Sequence, residues 1–272
     1  MASNVNPVYG NYHGYYSKRP FVRDSRLSLL PPGFFTGKTV LDIGCNEGWV
    51  TCEVGQIWGA QCAVGVDIDD TLIRAAWKRR RSLWSQQSPG LGALEEIQCQ
   101  HPSAVAPKRA KLHDVLDHDY FPASCEHSYG PLPIPSNRTG VALFPHNVTF
   151  RTMDWMTEQD TGDEIRYDIV LALSITKWIH LNHGDNGIKT FFQKIHRNLT
   201  SGGTLVLEPQ AWETYSKARR MDERLRSNAK HLQLRPGDFH RVLGDIGFGP
   251  PTRLGSVGEG GFRRPVDLYV KV

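Results

Sequence analysis

Apolar and polar positions change rhythm along this chain in a way that separates strands from helices. TVLDI (39–43) is a short apolar run that leads into glycine-bearing sequence, which predicts a buried strand and a turn. Trp49–Trp58 reads as a helix, CAVGVDID (62–69) as a β-branched strand ending in acids, and Thr71 to about Ser85 as a second helix. VTFRTMDW (148–155) and YDIVLALSI (167–175) have strand character. GDNGIKTFFQKIHRNL (184–199) carries Ile188, Phe191, Phe192, Ile195 and Leu199 at helical spacing. Ser201-Gly202-Gly203 is expected to stop that helix, TLVLEP (204–209) to start another strand, and VDLYVKV (266–272) to close the chain as a final strand. Strands alternating with helices predict an α/β fold with a mostly parallel, doubly wound sheet. There is no internal repeat.

Two stretches break the rhythm. Residues 1–38 begin with an aromatic and basic segment, with Tyr9, Tyr12, Tyr15 and Tyr16 close to Lys18, Arg19, Arg23 and Arg26, which cannot make a core alone. It reads as an arm laid over a site on the domain formed by 39–272. Residues 86–146 are rich in Pro, Ser, His and Gly and read as a loop-rich insertion.

Composition narrows the class. At 272 residues and 39% apolar, the chain is large enough for a core without a staple, and collagen-like, coiled-coil and wholly disordered chains are excluded. Runs such as Ile169–Leu173 are too short to cross a bilayer, so no membrane is expected, and no leader peptide either. Five cysteines without a CxxC pair argue against zinc or a disulfide framework and for a reducing compartment. The sequons at Asn137, Asn147 and Asn198 are then chance. The net charge of +4 is small, but its placement is uneven. Lys217–Arg241 carries eight Lys and Arg against three acids, directly after the LVLEPQAW block. That is a solvated helical face or a segment that runs along a polyanionic backbone and orders with it.

The chemistry concentrates at strand ends. VLDIGCNEG (40–48) puts Gly44 where a ligand approaches the backbone and Gly48 where helix and strand pack closely, and Asp67 emerges beside that turn, placed for a ribose hydroxyl pair. The pattern is not G-x-G-x-x-G, so a dinucleotide is not the expected ligand. Lys177 follows the strand YDIVLALSI on the ligand side of the sheet. Arg19, Tyr15 and the Arg263–Arg264 pair are candidates for a phosphate cage, with arginine supplying bidentate donors and tyrosine a neutral one.

These motifs resemble the class I S-adenosylmethionine-dependent methyltransferases, which implies a Rossmann-like, mostly parallel seven-stranded sheet with helices on both faces. A narrower resemblance rests on YGNYHGYYSKR (9–19), SRLSLLPP (25–32), LDIGCNEG, LSITKWIHLNHGDNG (173–187), LVLEPQAW (205–212) and GFRRP (261–265). In this order they are similar to the methylphosphate capping, or bicoid-interacting (Bin3-type), RNA methyltransferases. The resemblance implies methyl transfer from S-adenosyl-L-methionine, leaving S-adenosyl-L-homocysteine, to the γ-phosphate at the 5′-triphosphate end of a small noncoding RNA. It implies Tyr15, Arg19 and Lys177 as catalytic residues and Arg263 and Arg264 as phosphate contacts. The cofactor would fall to Tyr16, Arg26, Gly44, Cys45, Asn46, Asp67, Ile68, Asp154, Trp155 and Leu173. It also implies a La-related protein as partner and a nuclear address. A branch of the family that methylates 5′-monophosphates has Met in place of Lys177, which favours triphosphate ends here.

Blander readings stand beside these. Tyr9, Tyr12 and Tyr16 are candidates merely to pin the arm, and Trp178 to pack. His180 and His183 have no third metal ligand nearby and read as structural or rim residues. The Lys78–Arg81 run reads as a solvated helix face or a helix end, outside the site. Two rivals remain open: a methyltransferase acting on another substrate (monophosphate RNA, a protein side chain or a small molecule), and a non-catalytic RNA-binding scaffold.

Overall fold

A computed structural model describes residues 7–16, 23–87, 123–137, 140, 143–158, 166–258 and 263–272. Its centre is a seven-stranded sheet of β1 (Thr39–Ile43), β2 (Cys62–Asp67), β3 (Val148–Thr152), β4 (Tyr167–Leu173), β5 (Leu199–Glu208), β6 (Thr252–Val257) and β7 (Arg264–Val270). The spatial order is β3-β2-β1-β4-β5-β7-β6, parallel from β3 through β5 and antiparallel where β7 joins β5 and β6. The helices are α1 (Trp49–Gln56), α2 (Asp70–Ser85), α3 (Ala123–Tyr129), α4 (Thr176–Asn198), α5 (Tyr215–Ala218), α6 (Glu223–His231) and α7 (Phe239–Ile246).

Alternation along the strands explains why both faces of the sheet are covered. Leu41, Val64, Val170 and Leu205 face Ile188, Phe191, Phe192 and Ile195 of α4 and Phe239, Val242 and Leu243 of α7. Their neighbours Val40, Ala63, Ile169 and Val206 face α1 and α2 through Val50, Val54, Ile73 and Ala76. Full burial of a side chain such as Phe191 or Ile195 stabilises by about 1.5–3 kcal/mol, so α4 is pinned by its apolar stripe. Gly48 lets α1 start tight against the sheet, because a Cβ there would stand 2.6 Å from Phe150 and 2.8 Å from Ala76.

Several expectations need correction. The α4 helix begins at Thr176, before Gly184, and the non-helical backbone of Gly184 (φ 70°, ψ −170°) is a kink that joins this first half to the second. It ends at Asn198, and Ser201-Gly202-Gly203 falls within β5. The 86–146 region contains α3, which packs on α2 through Glu126, bonded by Ser82 and Gln86. The Lys78–Arg81 run is only partly a solvated face. Arg80 donates to the carbonyls of Pro145 and Val148, and Arg81 to those of Pro131 and Leu132, so the two tie β3's entry and the insertion to α2. Of the two readings of the basic stretch after LVLEPQAW the structure takes the helical one, with α5, α6 and the start of α7 held by the buried Tyr215, Leu225, Leu232 and Phe239. Edge strand β6 gave no pattern to read, since none of its residues is fully buried. Among the described residues no helix is long and apolar enough to cross a membrane.

Candidate functional site

The chain winds from β1 outward to β3 and then returns to place β4 on the other side of β1. A ligand crevice is expected where the strand order reverses, at the strands' carboxyl ends. A pocket opens there, lined by Ile43 and Gly44 from β1, Val66, Asp67 and Ile68 from β2, Met153–Met156 after β3, and Leu173–Ile175 after β4. It holds about 700 Å³ of empty space, solvent at its mouth included. Asp67 is buried, and its two oxygens accept the backbone N–H groups of Asn46 (2.9 Å) and Asp69 (3.0 Å). Burial pushes its carboxyl up from the usual range, and those backbone donors work against the rise. Asn46 turns the chain with φ 51°, a conformation its short amide side chain tolerates.

One wall of this pocket comes from the N-terminal segment. Residues 7–16 cross the site as a strap, and Tyr9, Gly10 and Asn11 line it. The strap is tied at intervals along its length. Asn182 Nδ2 donates to Val8 O (2.8 Å), Asn46 Nδ2 to Tyr12 O (3.1 Å), Asn11 Nδ2 to Asp69 Oδ2 (2.8 Å), and the Gly14 amide to Glu47 Oε1 (3.1 Å). Gly10 lies flat on the Trp178 indole, where a Cβ would overlap the ring. Arg224 of α6 reaches across to Tyr9 Oη (3.4 Å) and Asn182 Oδ1 (2.9 Å).

Beyond Leu173 the site changes character. Lys177, in the first turn of α4, is half-buried with its Nζ 4.8 Å from the Trp178 ring centre. Burial, with Arg264 and Lys217 adding like charge, lowers its ammonium to about 8. Gln210, from the EPQ block, fixes this corner: its Oε1 accepts from Thr176 Oγ1 (3.1 Å) and the Lys177 amide (3.0 Å), and its Nε2 donates to Ser174 O. Arg264 Nη1 meets Ser174 Oγ at 2.8 Å, and Tyr15 Oη meets the same atom at 3.3 Å.

Of the residues singled out by sequence, Gly44, Asn46, Asp67, Ile68, Asp154, Trp155 and Leu173 come together in the pocket. Tyr15, Lys177 and Arg264 come together beside it. Arg263 is exposed one residue before the final strand, and Arg19 lies outside the described residues. Three residues sit behind the wall. Cys45 turns its sulfur into the core, close under Gly65. Tyr16 stacks on Trp49 with ring centres 5.3 Å apart. Arg26 is buried in ion pairs with Asp24 and Glu208, both at 2.6 Å. Burial opposes its charge, but the two carboxylates outweigh that and hold it firmly protonated. His180 is structural, bridging Asp185 (2.7 Å) and Tyr215 (3.2 Å) inside the fold, while His183 is exposed on the pocket rim. Sequence reasoning missed Asn11, Ser174 and Asn182, whose partners are far away in the chain. It also missed Lys194, which is buried beneath the pocket and donates to the carbonyls of Trp155 (2.9 Å) and Glu158 (2.5 Å).

The pocket suits a nucleoside ligand with polar ends. Asn11 Oδ1, Asn46 Oδ1 and Trp155 Nε1 are all buried without a hydrogen-bond partner, on residues that line it. Orphaned groups of this kind are costly unless a ligand or water satisfies them.

Comparison with known proteins points the same way. Residues 167–271 match the family model described as Bicoid-interacting protein 3 (Bin3). A Homo sapiens protein named 7SK snRNA methylphosphate capping enzyme is 38% identical over 97% of this chain, which spans 39% of that protein's length. An Arabidopsis thaliana protein named "Probable RNA methyltransferase" is 35% identical over 97% of this chain and 79% of its own length. The fold is shared with a chain from the complex of the Haloferax volcanii Trm112 methyltransferase activator, at a TM-score of 0.53 and 10% identity over 98% of this chain and 97% of that one.

Proposed function

The chain belongs to the Bicoid-interacting protein 3 (Bin3) family, and from that premise we propose that it methylates the 5′-phosphate end of a small noncoding RNA, using S-adenosyl-L-methionine. The observation that carries this reading is the adjacency of two unlike compartments. A pocket edged by Asp67 and by the unpartnered polar atoms of Asn11, Asn46 and Trp155 opens beside Lys177, which Arg264 and Lys217 accompany. Bound in the pocket, S-adenosyl-L-methionine supplies an electrophilic methyl group on a sulfonium.

The chain's own residues do the rest. Asp67 would hold the ribose hydroxyls, and Asp154 and Trp155 would flank the base. Gly44 and Asn46 would present the turn to the amino-acid end, and Ile68 and Leu173 would close the sides. A phosphate oxygen is anionic at neutral pH, so the reaction requires no strong general base. It requires a polyanion held in line, which cations and hydroxyl donors outside the pocket supply. Lys177 and Arg264 fill that role, with Tyr15 as a neutral donor and Arg19 and Arg263 as further candidates. A terminal γ-phosphate is the favoured target, because Lys177 adds charge where the monophosphate branch has Met. The exposed cations Arg219, Arg220, Arg226 and Lys230 suit the following RNA backbone. A substrate of this class puts the protein to work in the nucleus, and the family resemblance adds a La-related protein on the same RNA. The arm at 1–38 and the insertion at 86–146 fit one methyltransferase domain with two additions.

The test is transfer of labelled methyl to one RNA carrying a 5′-triphosphate, a 5′-monophosphate or a 5′-hydroxyl. Labelling should be strongest on the triphosphate and absent from the hydroxyl. Equal labelling of all three would overturn the reading.

A further inference from the structure

Ser174 stands where the pocket meets the cationic cluster, and its backbone is held at φ 62°, a region in which non-glycine residues are uncommon. Its hydroxyl lies 2.6 Å from Glu208 Oε2. An ionised carboxylate only accepts, so the serine proton goes to Glu208 and the serine oxygen is left as an acceptor. Three donors converge on that one oxygen: Arg264 Nη1 at 2.8 Å, Tyr15 Oη at 3.3 Å and Arg26 Nη1 at 3.4 Å. An oxygen with two lone pairs cannot serve three donors well. Glu208 is itself fully buried at the end of β5 and clamped by Arg26 at 2.6 Å, so the acceptor it orients is fixed in place.

We propose that Ser174, oriented by Glu208, is the positioning residue of the phosphate site: it gathers Arg264 and Tyr15 on one neutral oxygen, from which both turn onto an arriving terminal phosphate. The exchange is favourable because a hydrogen bond to an anionic oxygen is roughly twice as strong as one to a neutral oxygen. It also keeps the two donors apart from Glu208, which would otherwise compete with the phosphate for them. Arg26 does not take part in the exchange, because its ion pairs with Asp24 and Glu208 hold it in the wall. The inference rests on the 5′-phosphate reading above and adds to it the side chain that prepares the donors.

The test uses the full chain, S-adenosyl-L-methionine, and RNAs that differ only in bearing a 5′-triphosphate or a 5′-hydroxyl. A wild-type protein that fails to methylate the triphosphate RNA overturns the functional reading and this inference together. Where the wild type is active, Ser174→Ala should raise the KM for triphosphate RNA about tenfold or more. Its affinity for the 5′-hydroxyl RNA should stay at wild-type level, and its affinity for the cofactor should change by less than the KM for triphosphate RNA. Ser174→Gly, which relaxes the backbone but also lacks the hydroxyl, should show the same loss, and Glu208→Gln a smaller loss of the same sign. Three results would overturn the role of Ser174 alone: an unchanged KM in Ser174→Ala, equal weakening of both RNAs, or wild-type behaviour in Ser174→Gly beside an impaired Ser174→Ala.

Discussion

On one side of Ser174, the pocket wall is made of backbone turns and carboxylates braced by backbone amides. Asp67 holds Asn46 and Asp69, and Lys194 holds the carbonyls of the loop at Trp155 and Glu158. On the other side, Lys177, Arg264 and Tyr15 converge from α4, β7 and the strap, joined through a serine hydroxyl and one glutamine. Apart from the strap at Tyr9–Asn11, the first half is fixed by the sheet itself. The second exists only where side chains from distant parts of the chain meet. A compartment of the first kind suits a ligand of constant shape, whereas one of the second kind suits a charged group delivered on a larger substrate.

The sharpest way to separate the halves is Lys177→Ala. It should lower methyl transfer by about a hundredfold or more, the size seen when a single charge-stabilising donor is removed. Calorimetry should find cofactor affinity nearly unchanged, and transfer at the wild-type rate would refute the role of Lys177. Asp67→Asn should do the reverse. It loses one of two acceptor oxygens as well as the charge, so the Kd for cofactor should rise about tenfold to a hundredfold, with RNA affinity unaltered.

Lys194→Met probes the same half from below. The buried Trp155 carbonyl and the part-buried Glu158 carbonyl lose their donor, the first at a cost of about 1–3 kcal/mol. The KM for cofactor should rise severalfold, with partial recovery in Lys194→Arg. A lowered Tm with unchanged KM would make this lysine purely structural.

The smallest effect is on pH. Burial first, then Arg264 and Lys217, bring Lys177 to about 8, so affinity for a phosphorylated end should decline as pH rises through that value. Folding responds with the opposite sign. Between about 8 and the ordinary 10.5 the unfolded chain retains a proton that the folded chain has released, so this group adds stability as pH increases across that window. Arg264→Gln should move the alkaline limb of RNA affinity upward, and a limb that stays in place would break the link between the two cations.

The halves also differ in how far the sequence reveals them. Apolar runs ending in Gly44, Asp67 and Leu173 announce strand ends that share one edge, because burial and turn chemistry are local properties. Asp154 and Trp155 follow β3 in the same manner. Ser174 was invisible as a junction, since its partners Tyr15, Arg26, Glu208 and Arg264 come from four separate segments. Arg26 shows the converse. Its basic side chain suggests a ligand, but Glu208, which with the neighbouring Asp24 neutralises it, stands far away in the chain and carries no local signal of that pairing. Edge strand β6 lacked alternation because it is largely exposed on both faces.

The strap adds a thermodynamic term to everything the pocket binds. Tyr9, Gly10 and Asn11 complete its wall, yet they are held by scattered hydrogen bonds and by the fit of Gly10 on Trp178. Segments held this way open locally at much lower free energy than the core. The pocket is therefore whole only in the fraction of molecules whose strap is docked, and the measured affinity equals the intrinsic affinity scaled by that fraction. A side chain at position 10 would act on the ligand without touching it, by changing how many molecules possess a site at all.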